Sequence, residues 1–81
     1  MTMRYNNMLV IKTIEKDIIQ IDDPTSYIDK LTYDFNSELL EIHFTNGSIY
    51  QYWPTKESFE RGIADHDIKG IFETLNYKRI A

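Results

Sequence analysis

The dipeptide Asn46-Gly47 separates two stretches of strand-like character, Leu39-Leu40-Glu41-Ile42-His43-Phe44 before it and Ser48-Ile49-Tyr50-Gln51-Tyr52-Trp53 after it. Asn and Gly accept positive φ, which a two-residue type I′ turn needs at both central positions, and that turn matches the twist of the strands it joins. The segment therefore predicts a β-hairpin. With a two-residue loop, Thr45 faces Ser48, Phe44 faces Ile49, Ile42 faces Gln51 and Leu40 faces Trp53. On the other side His43 faces Tyr50 and Glu41 faces Tyr52. This register sends Leu40, Ile42, Phe44, Ile49 and Trp53 to a core, with Gln51 as the misfit of that face. Glu41, His43, Tyr50 and Tyr52 occupy the opposite face, with Lys30 or Thr32 from the neighbouring strand beside them.

The flanking sequence extends the pattern. Met8-Leu9-Val10-Ile11-Lys12-Thr13-Ile14 and Ile18-Ile19-Gln20-Ile21, joined by Glu15-Lys16-Asp17, are rich in β-branched residues and read as two short strands. Ile11, Ile14, Ile18 and Ile21 also fit helical spacing, so a helix is the alternative there. Asp22-Asp23-Pro24-Thr25-Ser26 is a break, because Pro24 lacks an N–H and biases Asp23 away from helix. This divides the chain into an N-terminal β extension and linker over 1–26 and a main domain over 27–81. Ile28 to Asp34 forms a strand that turns through Asp34-Phe35-Asn36-Ser37-Glu38 into the hairpin. Thr55 caps a helix running to about Asp65. Asp67 caps a second segment whose Ile68, Ile71, Phe72 and Leu75 make an apolar stripe. The expected architecture is α+β: a three-stranded antiparallel meander with two short helices on one face, preceded by a short N-terminal β-hairpin.

Eighty-one residues suffice for one domain, near the size where a single core is marginal and self-association supplies missing burial, so a homo-oligomer is expected. The absence of Cys removes disulfides and thiol chemistry and fits a cytoplasmic setting. The apolar run Met8 to Ile11 is too short for a signal-peptide core or a membrane span. Net charge is −4, but both ends are basic, with Arg4, Lys12 and Lys16 at one and Lys69, Lys78 and Arg79 at the other. The acidic middle disfavours contact with a long polyanion.

Tyr50-Gln51-Tyr52 on the second hairpin strand resembles the central Tyr-x-Tyr motif of the KTSC domain, a family named for the C-termini of some lysyl-tRNA synthetases. The resemblance runs over about 27–80: Ile28 to Asp34 and Leu39 to Phe44 are similar to the first two strands, and Pro54 to Asp65 to the following helix. Lys69-Gly70-Ile71-Phe72 keeps the family's later Gly and one aromatic ring, whereas Ile68 and Glu73 stand where the family has Ser and Asn. The family includes stand-alone small proteins as well as synthetase tails, and the resemblance implies RNA binding only as a suggestion.

Rings on an open sheet face make a stacking platform, worth about 1–3 kcal/mol per base and tolerant of any base. The alternative for Tyr50 and Tyr52 is that their face packs against the N-terminal extension or a second subunit. Lys69-Gly70 at a helix start offers an anion site, or simply a helix-entry glycine. Lys78 and Arg79 offer phosphate contacts, or form a solvated basic tail. Asp65-His66-Asp67 is ill-suited to a metal because consecutive residues converge poorly on one ion, and no metal or cofactor is expected. Glu41 beside Tyr52 and His43 beside Tyr50 have the chemistry to move protons, but nothing fixes a substrate there, and no nucleophile or phosphate-loop motif is present. The expected function is non-catalytic binding of a compact nucleotide through Glu41, His43, Tyr50, Tyr52, Lys69, Gly70, Lys78 and Arg79. Sequestration of a signalling nucleotide, as by small phage anti-defence proteins, is one version by analogy. An RNA- or tRNA-binding module and a protein-interaction module are the alternatives.

Overall fold

The structure, a computed structural model, describes residues 10–22 and 27–81. Six strands form one antiparallel sheet in sequence order. They are β1 (Val10–Glu15), β2 (Ile18–Asp22), β3 (Ile28–Asp34), β4 (Leu39–Phe44), β5 (Ile49–Tyr52) and β6 (Lys78–Arg79), with α1 (Lys56–Ala64) and α2 (Ile68–Phe72) between β5 and β6.

This overturns the expected three-stranded meander with a separate hairpin. The β1–β2 hairpin continues the sheet, because β2 pairs with β3 from Ile18 opposite Asp34 to Ile21 opposite Leu31. The reason is burial. Ile21 shares a face with Leu31 and is fully buried, and β2 also covers the edge of β3, whose backbone groups would otherwise lie unpaired. The sixth strand replaces the expected basic tail: Tyr50 lies opposite Arg79 and Gln51 opposite Lys78. The expected start of the first strand at Met8-Leu9, the basic Arg4 and the break at Pro24 lie outside the described residues.

Both helices pack on the same sheet face. Tyr33, Leu40 and Tyr52 form one cross-strand row, and Ile21, Leu31, Ile42 and Tyr50 the next. Phe59 from α1 and Ile68, Ile71 and Phe72 from α2 complete the core. Each large apolar side chain so buried contributes about 1.5–3 kcal/mol. Tyr33 stacks on Phe59 at 3.9 Å between centroids and 9° between planes, and its hydroxyl donates to the Pro54 carbonyl at 2.9 Å. Burial pushes the Tyr33 pKa up to about 12.

Local chemistry sets the helix ends. The Thr55 side chain accepts from the Ser58 N–H, and Glu38, turned in by a φ of 61°, accepts from the Lys56 N–H. At the other end of α1 the Asp67 N–H reaches the Gly62 carbonyl at 2.8 Å and the His66 N–H reaches Ile63 at 3.1 Å, with His66 at φ 55°. This is a Schellman turn with His66 at the left-handed position. Gly62 permits the close approach of α2, since a Cβ there would overlap the Ile71 side chain. Among the described residues, no helix is long and apolar enough to cross a membrane.

Candidate ligand cleft on the helix face

The hairpin loop has three residues, not two. The Gly47 N–H reaches the Phe44 carbonyl at 3.0 Å, and the Phe44 N–H reaches Ser48 at 2.9 Å. Gly47 takes φ 92° and the Asn46 side chain accepts from the Ser48 N–H at 2.9 Å. This is the turn-plus-bulge form of hairpin, in which only the Gly needs the left-handed conformation. The pairing shifts by one residue: Leu40 opposes Tyr52, Glu41 opposes Gln51, Ile42 opposes Tyr50 and His43 opposes Ile49.

A shift of one residue sends every side chain of the second strand to the other face. Tyr50 and Tyr52 therefore lie on the helix face, not on an open platform with Glu41 and His43. Tyr52 is only 6% exposed and its ring is 5.1 Å from that of Phe72. Burial raises the Tyr52 pKa, with smaller contributions from Tyr50 and Tyr77. Leu40 and Ile42 take their expected core places, while Trp53 is 52% exposed and Ile49 shares the open face with His43. Gln51 is no longer a misfit: its amide donates to Glu41 Oε2 at 3.1 Å. Its polarity was the signal in the sequence that pointed to the three-residue loop.

The eight candidate residues thus divide among three places. Glu41, His43 and Lys78 belong to the open face, where His43 Nε2 sits 3.0 Å from Glu41 Oε1 and Lys78 lies opposite Gln51. Asp22, further along that face, is held below the usual carboxylate range chiefly by the Gln20 amide, with Lys12 and Lys30 adding and desolvation opposing. Lys69 and Gly70 lie in α2, but the Gly70 N–H already donates to Asp67 Oδ1 at 3.0 Å. A Cβ at 70 would overlap that carboxylate, so the glycine makes room for the chain's own anion. Ile68 is buried in the core, and Glu73 is exposed at the end of α2.

Tyr50, Tyr52 and Arg79 are the part that stays together. The Arg79 guanidinium lies 5.8 Å from the Tyr50 ring centroid. Its Nε donates to the main-chain oxygen of Ala81 at 3.0 Å and its Nη2 to Ser48 Oγ at 3.5 Å. Ser48 and Tyr50, its two side-chain neighbours, line a cleft of about 330 Å³ together with Phe44 and Asn46. Phe44 and Tyr50 meet edge to face at 5.5 Å, and Tyr77 lies 4.9 Å from Tyr50 on its other side. The arrangement joins an accessible aromatic wall to a cation held by two hydrogen bonds. Phe44, Asn46, Ser48 and Tyr77 were not among the candidate ligand residues read from the sequence, because their convergence depends on the loop length and on the return of the chain as β6.

The KTSC domain family matches residues 24–62. That range takes in β3, β4, β5 and α1 through Gly62, and leaves α2 and β6 outside. No curated protein and no solved structure matches the chain.

Proposed function

The chain belongs to the KTSC domain family, and we propose that it is a non-catalytic protein that binds a compact nucleotide at the Tyr50 cleft. The observation that carries this reading is the Arg79 guanidinium beside the ring of Tyr50 and bonded to Ser48, two residues that line a cleft of about 330 Å³. That volume is at the lower end of small-molecule sites, which suits a single nucleotide and not a long polymer. An aromatic wall accepts a base and a guanidinium accepts phosphate. The net charge of −4 also favours a ligand needing few cationic contacts over extended RNA, whose binding grows with the number of phosphates neutralised. Sequestration of a signalling nucleotide is the cellular role this would serve.

Native mass spectrometry and calorimetry against linear and cyclic nucleotides and short RNAs, at low and high salt, test the reading and report assembly as well. One small nucleotide should be retained in high salt. Tyr50→Leu should weaken it by about tenfold or more, and Tyr50→Phe should restore it, since base stacking on a ring is worth about 1–3 kcal/mol. Binding of RNA alone, abolished by salt, would move the function to an RNA module; no ligand at all would point to a protein partner.

A further inference from the structure

We infer that the cleft takes its ligand by a terminal phosphate monoester, gripped by Arg79 and Ser48, and that linear nucleoside monophosphates are therefore preferred to nucleosides and to cyclic phosphodiesters. This rests on the nucleotide reading of the cleft and names the group that must be present.

The donors around Ser48 carry the argument. Ser48 is only 9% exposed and lines the cleft. Its Oγ accepts from Arg79 Nη2 at 3.5 Å. Among the described residues no protein acceptor takes the Ser48 hydroxyl proton, so this donor is available to whatever fills the cleft. Buried polar hydrogens are seldom left unpaired, so the hydroxyl gives its proton to water in the free protein and to a ligand in the complex. A ligand oxygen takes over from water as the acceptor.

Arg79 points the same way. Its Nε is committed to Ala81 and one Nη2 hydrogen to Ser48, which leaves the remaining Nη hydrogens for a ligand. Among the described residues no Asp or Glu side chain is paired with it. The two hydrogen bonds and the Tyr50 ring hold the guanidinium plane, so less side-chain freedom is lost on binding than for a free arginine. The Asn46 amide oxygen is occupied by the Ser48 N–H, which leaves its NH₂ group as a further donor at the rim.

A site of donors around one guanidinium calls for a compact, acceptor-rich anion. A phosphate monoester presents three terminal oxygens and a charge of about −1.5 to −2 at neutral pH. A cyclic diester presents two free oxygens and a single charge. Lys78 does not add a second cation here, because as the neighbour of Arg79 in β6 it lies on the opposite face, beside Gln51. One clamp for one phosphate is what the cleft offers.

The test is calorimetric titration of the intact protein with ribonucleoside 5′-monophosphates, the matching nucleosides and 3′,5′-cyclic AMP and GMP. Each is run at about pH 7.5 and about pH 5, on either side of the second ionisation of a monoester near 6. A 5′-monophosphate should bind about tenfold or more tighter than its nucleoside. Arg79→Gln should erase that difference, and Ser48→Ala should reduce it several-fold. The monophosphate should weaken at the lower pH while a cyclic diester does not. If nucleoside and nucleotide bind alike, with affinity sensitive to Tyr50→Leu but not to Arg79→Gln, the clamp is wrong while the cleft reading survives. A cyclic diester bound more tightly than the monoester, or a monophosphate indifferent to pH, overturns the clamp as well. If no probe of either kind binds, both the clamp and the nucleotide reading fall.

Discussion

The helix face of the sheet has two aromatic ends, and they are built from the same materials. At the α1 end, Tyr33 is flanked by Phe35 and Phe59; at the hairpin end, Tyr50 is flanked by Phe44 and Tyr77. Tyr33 is fully buried, with its hydroxyl committed to Pro54. Tyr50 is half-buried, lines a cleft and has a guanidinium over it. Coverage makes the difference. The nine-residue α1 lays its Phe59 ring directly on Tyr33, even though a pocket of about 250 Å³ lined by Phe35, Phe59 and Ile63 opens beside them, whereas α2 has five residues and its Phe72 ring covers Tyr52. A tyrosine on this face is core or candidate ligand contact according to which helix reaches it.

Truncation should separate the two ends most sharply. Phe59→Ala removes the ring stacked on Tyr33, a change that costs about 3–5 kcal/mol in a core. Against a usual total of about 5–15 kcal/mol this is a large loss, and the urea midpoint should fall steeply. Tyr50→Leu keeps apolar bulk at a partly exposed site and should cost about 1 kcal/mol or less while removing the ligand. Equal losses from the two variants, measured by denaturant unfolding, would mean that the ends do not differ as described.

Alkaline titration gives a second, smaller contrast. An unfolded tyrosine ionises near 10, whereas burial raises Tyr33 to about 12. The folded state therefore keeps a proton that the unfolded state has released. The stability from neutral Tyr33 is complete below pH 10 and is lost as pH rises through about 12. Tyr52 shifts in the same direction. The melting temperature should fall across that window, and Tyr33→Phe should flatten the fall. An unchanged slope in Tyr33→Phe would remove the claim that buried Tyr33 governs alkaline stability.

What the sequence made legible was chemistry that acts locally. Thr55 and Asp67 cap the helices they precede, and Ile68, Ile71 and Phe72 are buried as their spacing required. Loop length was not legible, because Asn46-Gly47 satisfies a two-residue turn and also a three-residue turn ending in a left-handed Gly. One residue of slip then relocated Tyr50, Tyr52 and Trp53 together. The sixth strand was hidden for another reason: Lys78-Arg79 carries no apolar pattern and is held by backbone pairing to β5. Half of the candidate site depended on those two facts. Tyr50 and Arg79 were visible as residue types, but their meeting was not.

The smallest effect tests whether the ends are independent. His66 holds the turn between α1 and α2 at φ 55°, a conformation that costs a non-glycine residue about 1–2 kcal/mol. Its backbone supplies the Schellman bond to Ile63, which glycine makes equally well. His66→Gly relieves the strain but adds about 0.4–1 kcal/mol of unfolded-state entropy to be lost on folding. The net gain is about 0.5 kcal/mol, or about 2–4 °C in melting temperature for a domain of this size. Because that turn links the helix over Tyr33 to the helix over Tyr52 without lining the cleft, the gain should leave nucleotide affinity unchanged. If His66→Gly alters affinity in step with stability, α2 is part of the binding machinery and the two ends act as one.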